Sequence, residues 1–223
     1  MIERIFHQIW INSSNPDLPD RFKQFRDTWL ARHPDWEYRL WNLENLEFDP
    51  SCAALLPKCQ HAAQMADLLR MEIIYRYGGV YVDTDFECLR PIDKILEGIE
   101  AFGCSEDGRC ITNSILGARK HSRLFKSVID SFPASLGNKP VNIETGPAFL
   151  TDVILRTGFK NDFTLFPTYF FYPFNYHTRD RTSVDLSRSY AMHHYADSWK
   201  PPVPLWKKCL GKVRRSLSTL RVS

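Results

Sequence analysis

The sequence has little that would staple or anchor a fold from outside. Its six cysteines, at positions 52, 59, 88, 104, 110 and 209, form no CxxC pair, and a chain of 223 residues is too large to need stapling. That argues against both a zinc site and a disulfide framework, and reduced thiols are expected. No apolar run is long enough to span a bilayer, and the opening MIERIFHQIW carries neither a signal-peptide core nor an anchor. The expected location is the cytoplasm, or the Golgi lumen if an anchor precedes these residues. Internal repeats and low-complexity runs are absent. So is a marked excess of charge: the net charge is +3, and six of the 29 Lys and Arg crowd into residues 201–223, leaving 23 bases against 26 acids in residues 1–200. A body so balanced does not read as nucleic-acid binding.

What is present is apolar content, 43% with 13% aromatic, enough for one sizeable core in one domain, residues 1–202. A first buried strand is expected over residues 4–11 and a loop over 12–20. A helix over 19–33 carries Phe22, Phe25, Trp29 and Leu30 at helical spacing and stops near Pro34. A second strand follows at 37–41. The helix over about 61–77 turns Met65, Leu68, Leu69 and Ile73 toward a core and ends at Gly78-Gly79. Strands are expected at 80–88, 101–105 and 111–118, with helices near 121–132 and 144–156. Strands alternating with helices and later crowding together predict an α/β sandwich around a mixed sheet, with ligands at the carboxyl ends of the strands.

The chemistry concentrates in residues 66–89, ADLLRMEIIYRYGGVYVDTDFECL. Asp83 and Asp85 are two apart, and on a strand both carboxylates leave the same face, within reach of one cation. Asp-x-Asp alone is weak evidence, since paired acids often cap a turn. Here an apolar VYV delivers the pair to a strand end, where two negative charges are costly without a cation. Hard oxygen ligands suit Mg²⁺ or Mn²⁺, which bind through a few carboxylates together with substrate phosphates.

Upstream, Asp67 and Arg70 lie at i and i+3 on one helix face. They read equally as a surface ion pair or as a charged pair aimed into a cleft. Glu72 and Arg76, at i and i+4, read as a solvated pair. Near the C-terminus, HHYADSWKPP at 193–202 offers His194 to a carboxylate-bound metal and Lys200 to a diphosphate, in a stretch that also holds Ser198 and Trp199. Trp10 offers a flat face to a nucleobase or, as easily, a core ring.

Together these residues resemble the DXD-containing sugar transferases of glycosyltransferase family 32, which include Golgi-type mannosyltransferases and bacterial capsule or lipopolysaccharide enzymes. The catalytic domains of large glucosylating toxins are more distantly similar. The resemblance rests on HQIW at 7–10, EYRLWN at 37–42, the long block at 66–85, ETGP at 144–147 and HHYADSW at 193–199. It implies a GT-A, Rossmann-like fold, a UDP- or GDP-sugar donor and a divalent cation, Mn²⁺ or Mg²⁺. It further implies that Trp10 stacks near the base, Asp67 and Arg70 contact the donor sugar, and Asp83 contacts ribose and metal. Asp85 is then the direct metal ligand, His194 completes the metal site, and Lys200 meets the diphosphate. Asn113, in TNSILGA, is placed near the transferred sugar, with a turn role as its alternative. After the first strand, INSSNPDLPD departs from the glycine-containing turn usual in the family. Retention of anomeric configuration is implied, with a front-face displacement in which metal and Lys200 stabilise the leaving diphosphate.

From Trp206 onward, Leu210, Val213, Leu217 and Leu220 trace one helical stripe among Lys207, Lys208, Lys212, Arg214, Arg215 and Arg221. Residues 203–223 therefore read as a basic amphipathic helix lying on an anionic leaflet, or as a terminal helix docked on the domain. With it, a saccharide or lipid-linked saccharide acceptor in lipopolysaccharide or capsule assembly is expected, recognised in part by the aromatic segment 166–176, for which a core strand is the alternative. The rival functions are a non-catalytic glycan-binding module and a phosphatase with an Asp-x-Asp-x-Thr nucleophile. Against the phosphatase, Glu87 stands where that motif needs threonine, and the pair lies far from the N-terminus.

Overall fold

The computed structural model describes residues 1–12, 17–137, 139–178 and 182–196. Ser198, Trp199, Lys200 and the tail at 203–223 lie outside the described residues. The elements run β1 (Ile5–Ile9), α1 (Asp20–Arg32), β2 (Glu37–Trp41), α2 (Ala62–Tyr77), β3 (Gly79–Val82), β4 (Phe86–Cys88), β5 (Ala101–Ser105), β6 (Ile111–Ala118), α3 (Arg123–Ser135), α4 (Val141–Glu144), α5 (Pro147–Arg156), β7 (Thr164–Phe166), α6 (Thr168–Phe171) and β8 (Ala191–His193). Six strands form one mixed sheet in the order β2-β1-β3-β6-β5-β7, and β4 pairs with β8 in a separate two-stranded sheet. β1 is parallel to both β2 and β3, whereas β6 is antiparallel to β3 and β5. This is the α/β architecture that the sequence predicts. Among the described residues no helix is long and apolar enough to cross a membrane, and the described cysteines are free thiols.

Strand alternation sorts the core onto the two sheet faces. In β3, Tyr81 packs with α2, α3 and α5 through Leu68, Phe125 and Leu150, while Val80 and Val82 pack with Phe6, Trp29, Phe86 and Phe171 on the other face. α2 is buried nearly all round. It lies against the sheet on one side and α3 on the other, which is why it holds polar residues only where partners meet them. Glu72 is the clearest example and corrects the solvated reading. It is 1% exposed and accepts from the Cys52 amide at 3.0 Å, from Arg76 Nε at 3.2 Å and from the Ser51 hydroxyl.

The stop after α2 is set by backbone geometry. Gly78 and Gly79 both have positive φ, 69° and 87°, and a Cβ on Gly79 would meet the Ile5 carbonyl at 2.5 Å. His7 braces the junction. Its Nε2–H donates to the Gly78 carbonyl at 2.9 Å and its Nδ1 accepts from Trp41 Nε1 at 3.1 Å, so a carbonyl and an indole N–H fix one neutral tautomer.

Three boundaries differ from expectation. The strand over 80–88 divides: β3 ends at Val82, Asp83 to Asp85 form a turn closed by the Phe86 amide on the Asp83 carbonyl at 3.1 Å, and β4 enters the second sheet. Residues of low β propensity carrying like charges favour the turn over a continued ladder. The helix over 144–156 starts at Pro147, in the first helical position, after the short α4 and a break at Thr145-Gly146. The aromatic segment 166–176 is strand only at its first residue. It continues as α6, and Phe171, Tyr172 and Phe174 are buried.

Candidate active site

A cavity of about 420 Å³ opens beside the carboxyl ends of β1 and β3, lined among others by Trp10, Asp67, Arg70, Asp83, Asp85, Asn113, Ser114, His193 and Tyr195. Residues expected to act together from separate parts of the chain thus meet in one concavity.

Asp83 stands one step past the end of β3, and the two-residue period gives it the face of Tyr81, whose hydroxyl donates to Asp83 Oδ1 at 2.6 Å. Asp85 arrives by the turn, not by strand alternation as expected. It accepts from the Ala196 amide at 2.8 Å and from His193 Nε2 at 3.1 Å. Ligand atoms of Asp83, Asp85 and His193 all lie within 4.8 Å of one another. The histidine that stands beside the two aspartates is therefore His193, where the resemblance implies His194. β8 pairs with β4 so that His193 faces Phe86, on which its ring stacks at 4.6 Å. The next side chain leaves the opposite way: His194 meets Glu87 at 2.9 Å and stacks on Phe25 at 4.2 Å.

Charge at the triad is finely set. Burial alone disfavours the charged form of Asp85, but the His193 hydrogen bond and charge, with the Ala196 amide, hold its carboxyl below the usual range. Burial likewise disfavours imidazolium, yet the Asp85 partnership lifts His193 above its ordinary value. Asp83 is pushed up, chiefly by burial, against the pull of Arg70. A divalent cation would remove the penalty on Asp83 and compete with the proton on His193. The donor set fits such a cation, and His193 Nδ1 is buried with no partner among the described residues.

The Asp67–Arg70 pair proves to be a cleft pair, not a surface one. Arg70 is nearly exhausted as a donor: Nε to the Ala66 carbonyl at 3.2 Å, Nη1 to Asp83 at 3.1 Å and to the Asn113 carbonyl at 2.5 Å, and Nη2 to Asp67 at 3.2 Å. Its plane lies over Tyr81, 4.3 Å from the ring centroid. Asp67, raised by burial against the Arg70 charge, accepts from Asn113 Nδ2 at 3.0 Å and from the Thr145 hydroxyl at 2.8 Å. Asn113 also donates to the Thr145 carbonyl at 2.9 Å, so both its amide hydrogens are committed while its Oδ1 is buried without a partner among the described residues. It is a strand residue, not a turn residue.

Trp10 is a core ring at the edge of the cavity. It is 8% exposed and packs with Leu18 and Phe22, at 5.4 Å from the Phe22 ring, while it also lines the cavity. Tyr81 and Thr145 were not singled out from sequence. The β3 alternation carries the signal for Tyr81, and the ETGP block at 144–147 contains Thr145 without marking its role.

Residues 19–101 match the family described as "Glycosyltransferase sugar-binding region containing DXD motif". Inositol phosphoceramide mannosyltransferase 3 of Schizosaccharomyces pombe is 29% identical over 160 residues, covering 67% of this chain and 44% of that protein. The chain thus spans under half the length of that relative. An uncharacterized glycosyltransferase of Acanthamoeba polyphaga mimivirus is 24% identical over 221 residues, 93% of this chain and 87% of that one. The UDP-bound glycosyltransferase domain of the YGT toxin superposes with a TM-score of 0.55 at 11% identity, covering 74% of this chain and 79% of that chain. The fold is that of GT-A glycosyltransferases, as the family resemblance implies.

Proposed function

We propose that this chain, whose residues 19–101 match the DXD glycosyltransferase family, moves a hexose from a nucleoside diphosphate sugar to a hydroxyl of a saccharide or lipid-linked acceptor. One observation carries the reading most strongly. The two buried side-chain atoms without partners among the described residues, Asn113 Oδ1 and His193 Nδ1, belong to residues that line the same cavity. Each costs about 1–3 kcal/mol unless a ligand partners it. A sugar hydroxyl suits the first and a cation or a donor suits the second.

Asp83, Asp85 and His193 would hold the cation, Mn²⁺ being favoured over Mg²⁺ by the imidazole. When bound, the cation neutralises charge on the departing diphosphate. Asp67 and Asn113 accept hydrogen bonds from the sugar ring, Arg70 holds Asp67 and Asp83 in register, and the indole edge of Trp10 borders the base. Ser198, Trp199 and Lys200 are assigned to the diphosphate on the sequence alone. The reaction is proposed to retain anomeric configuration by front-face attack. Asp67 already accepts from Asn113, Arg70 and Thr145, so its lone pairs make a poor nucleophile.

The name of the Schizosaccharomyces pombe relative favours a membrane-lipid headgroup bearing a polyol ring, with lipopolysaccharide or capsule glycans as the second acceptor class. Peripheral attachment to an anionic leaflet through residues 203–223 belongs to the same proposal, and equal liposome sedimentation with and without those residues would remove it. A thermal-shift screen of UDP, GDP and CMP with Mn²⁺ tests the donor. Stabilisation by a nucleoside diphosphate that vanishes with chelator is expected, and no shift with any nucleotide would contradict the reading. NMR of the product anomer tests retention.

A further inference from the structure

The cavity has two sides, because β6 presents consecutive residues to opposite faces of the sheet. Asn113 turns toward Asp67 and Thr145, whereas Ser114 turns toward Tyr172 and also lines the cavity. On the Ser114 side three hydroxyls form a chain. Ser114 Oγ lies 2.8 Å from the Tyr172 hydroxyl, which lies 2.6 Å from Thr112 Oγ1, which in turn donates to the Cys104 carbonyl at 3.2 Å.

The direction of this chain follows from counting protons. A carbonyl only accepts, so Thr112 spends its hydrogen on Cys104, and Tyr172 must then donate to Thr112. A phenol keeps its proton near neutral pH, so Tyr172 has one hydrogen to give and gives it to Thr112. Tyr172 therefore accepts from Ser114, whose own hydrogen is spent. Ser114 Oγ is left with lone pairs and no hydrogen to give.

Tyr195, which lines the same cavity, stands at φ 53°, in the left-handed region that side chains avoid. Its hydroxyl donates to the Phe174 carbonyl at 3.1 Å, and its ring packs against His193 at 4.3 Å and Tyr176 at 5.8 Å. Tyr176 is 51% exposed and meets the Tyr195 ring edge-on.

We propose that this side of the cavity is the acceptor subsite, where Ser114 Oγ accepts from one hydroxyl of a six-membered polyhydroxylated ring whose C–H face lies on Tyr195 and Tyr176. The subsite rests on the transferase reading for its role, though not for its chemistry. An acceptor oxygen that cannot donate selects hydroxyl over carbonyl or carboxylate, and an aromatic wall suits the apolar face of a ring.

The test is binding of methyl α- and β-glucopyranosides, galactopyranosides and mannopyranosides and of myo-inositol to the full chain with UDP and Mn²⁺, followed by saturation-transfer NMR. Tyr176→Ala, at an exposed position, is expected to weaken the bound ring by about fivefold or more. For one hydroxyl, the wild type should prefer the parent over its monodeoxy analogue by about tenfold, and Ser114→Ala should erase that preference. Tyr172→Phe, which releases the Ser114 proton, should also reduce it. Binding of no ring, or equal loss of parent and every deoxy analogue in Ser114→Ala, overturns the subsite. Ring binding with these signatures but no turnover of any nucleotide sugar leaves the subsite standing and sinks the transferase reading. Turnover whose acceptor KM ignores both Ser114→Ala and Tyr176→Ala does the reverse.

Discussion

Arg70 Nη1 lies 3.1 Å from Asp83 Oδ1, so the helix that carries Asp67 is bolted to the acidic turn that carries Asp83 and Asp85. Arg70→Ala would leave the buried Asp67 and the half-buried Asp83 without a counter-charge and should destabilise the fold by about 3 kcal/mol. Arg70→Lys keeps the charge but loses the planar fork. It should cost less stability while still lowering donor turnover on the order of 100-fold, because the two carboxylates lose their common register. Urea unfolding and donor turnover measured on both variants check this, and a lysine variant with wild-type turnover would show that register is immaterial.

The proposed metal site uses His193 and not His194. His193→Ala should weaken Mn²⁺ binding at least about tenfold. His194→Ala breaks only the contacts with Glu87 and Phe25 and should bind Mn²⁺ like the wild type. EPR titration of free Mn²⁺ distinguishes the two. The opposite order of effects would restore the reading made from sequence.

Thr145→Val removes a hydroxyl that donates to Asp67 Oδ2 at 2.8 Å without changing the side chain's shape. A buried carboxylate oxygen then loses a donor, at about 1–3 kcal/mol. If Thr145 orients Asp67 for the sugar, donor KM rises as well. A stability loss with unchanged donor KM would make Thr145 purely architectural.

His7 makes stability depend on acid. Burial, the main cause, lowers its pKa to about 4 from 6.5, against the hydrogen bond to Gly78. Between those values the unfolded chain binds the extra proton and the native one does not. Stability therefore rises with pH across 4 to 6.5, and acid removes about 3 kcal/mol over that window. NMR titration of the His7 ring gives the direct check. A midpoint near 6.5 in the folded protein would contradict the buried neutral tautomer.

Legibility from sequence followed the range of the forces involved. The elements β2, β5 and β6 were legible to the residue because local periodicity sets them, and the glycine stop after α2 because backbone sterics set it. The acid pair and the Asp67–Arg70 spacing were legible as candidates. Which histidine joins them was not, because that depends on the register of β8 on β4, a pairing across 107 residues between Phe86 and His193. The same limit hid Glu72, whose burial comes from the Ser51-Cys52 turn closing over it, and Thr145, whose role exists only once α4 meets α2.

On the proposed function, this cavity turns over a nucleoside diphosphate sugar with a cation on Asp83, Asp85 and His193. Its most direct test is nucleotide release from UDP- and GDP-hexoses with Mn²⁺, for the wild type and Asp85→Asn side by side. Slow release from one donor by the wild type, abolished by chelator and by Asp85→Asn, is predicted. Release that survives both treatments, or no release and no nucleotide binding with any donor, would contradict the account.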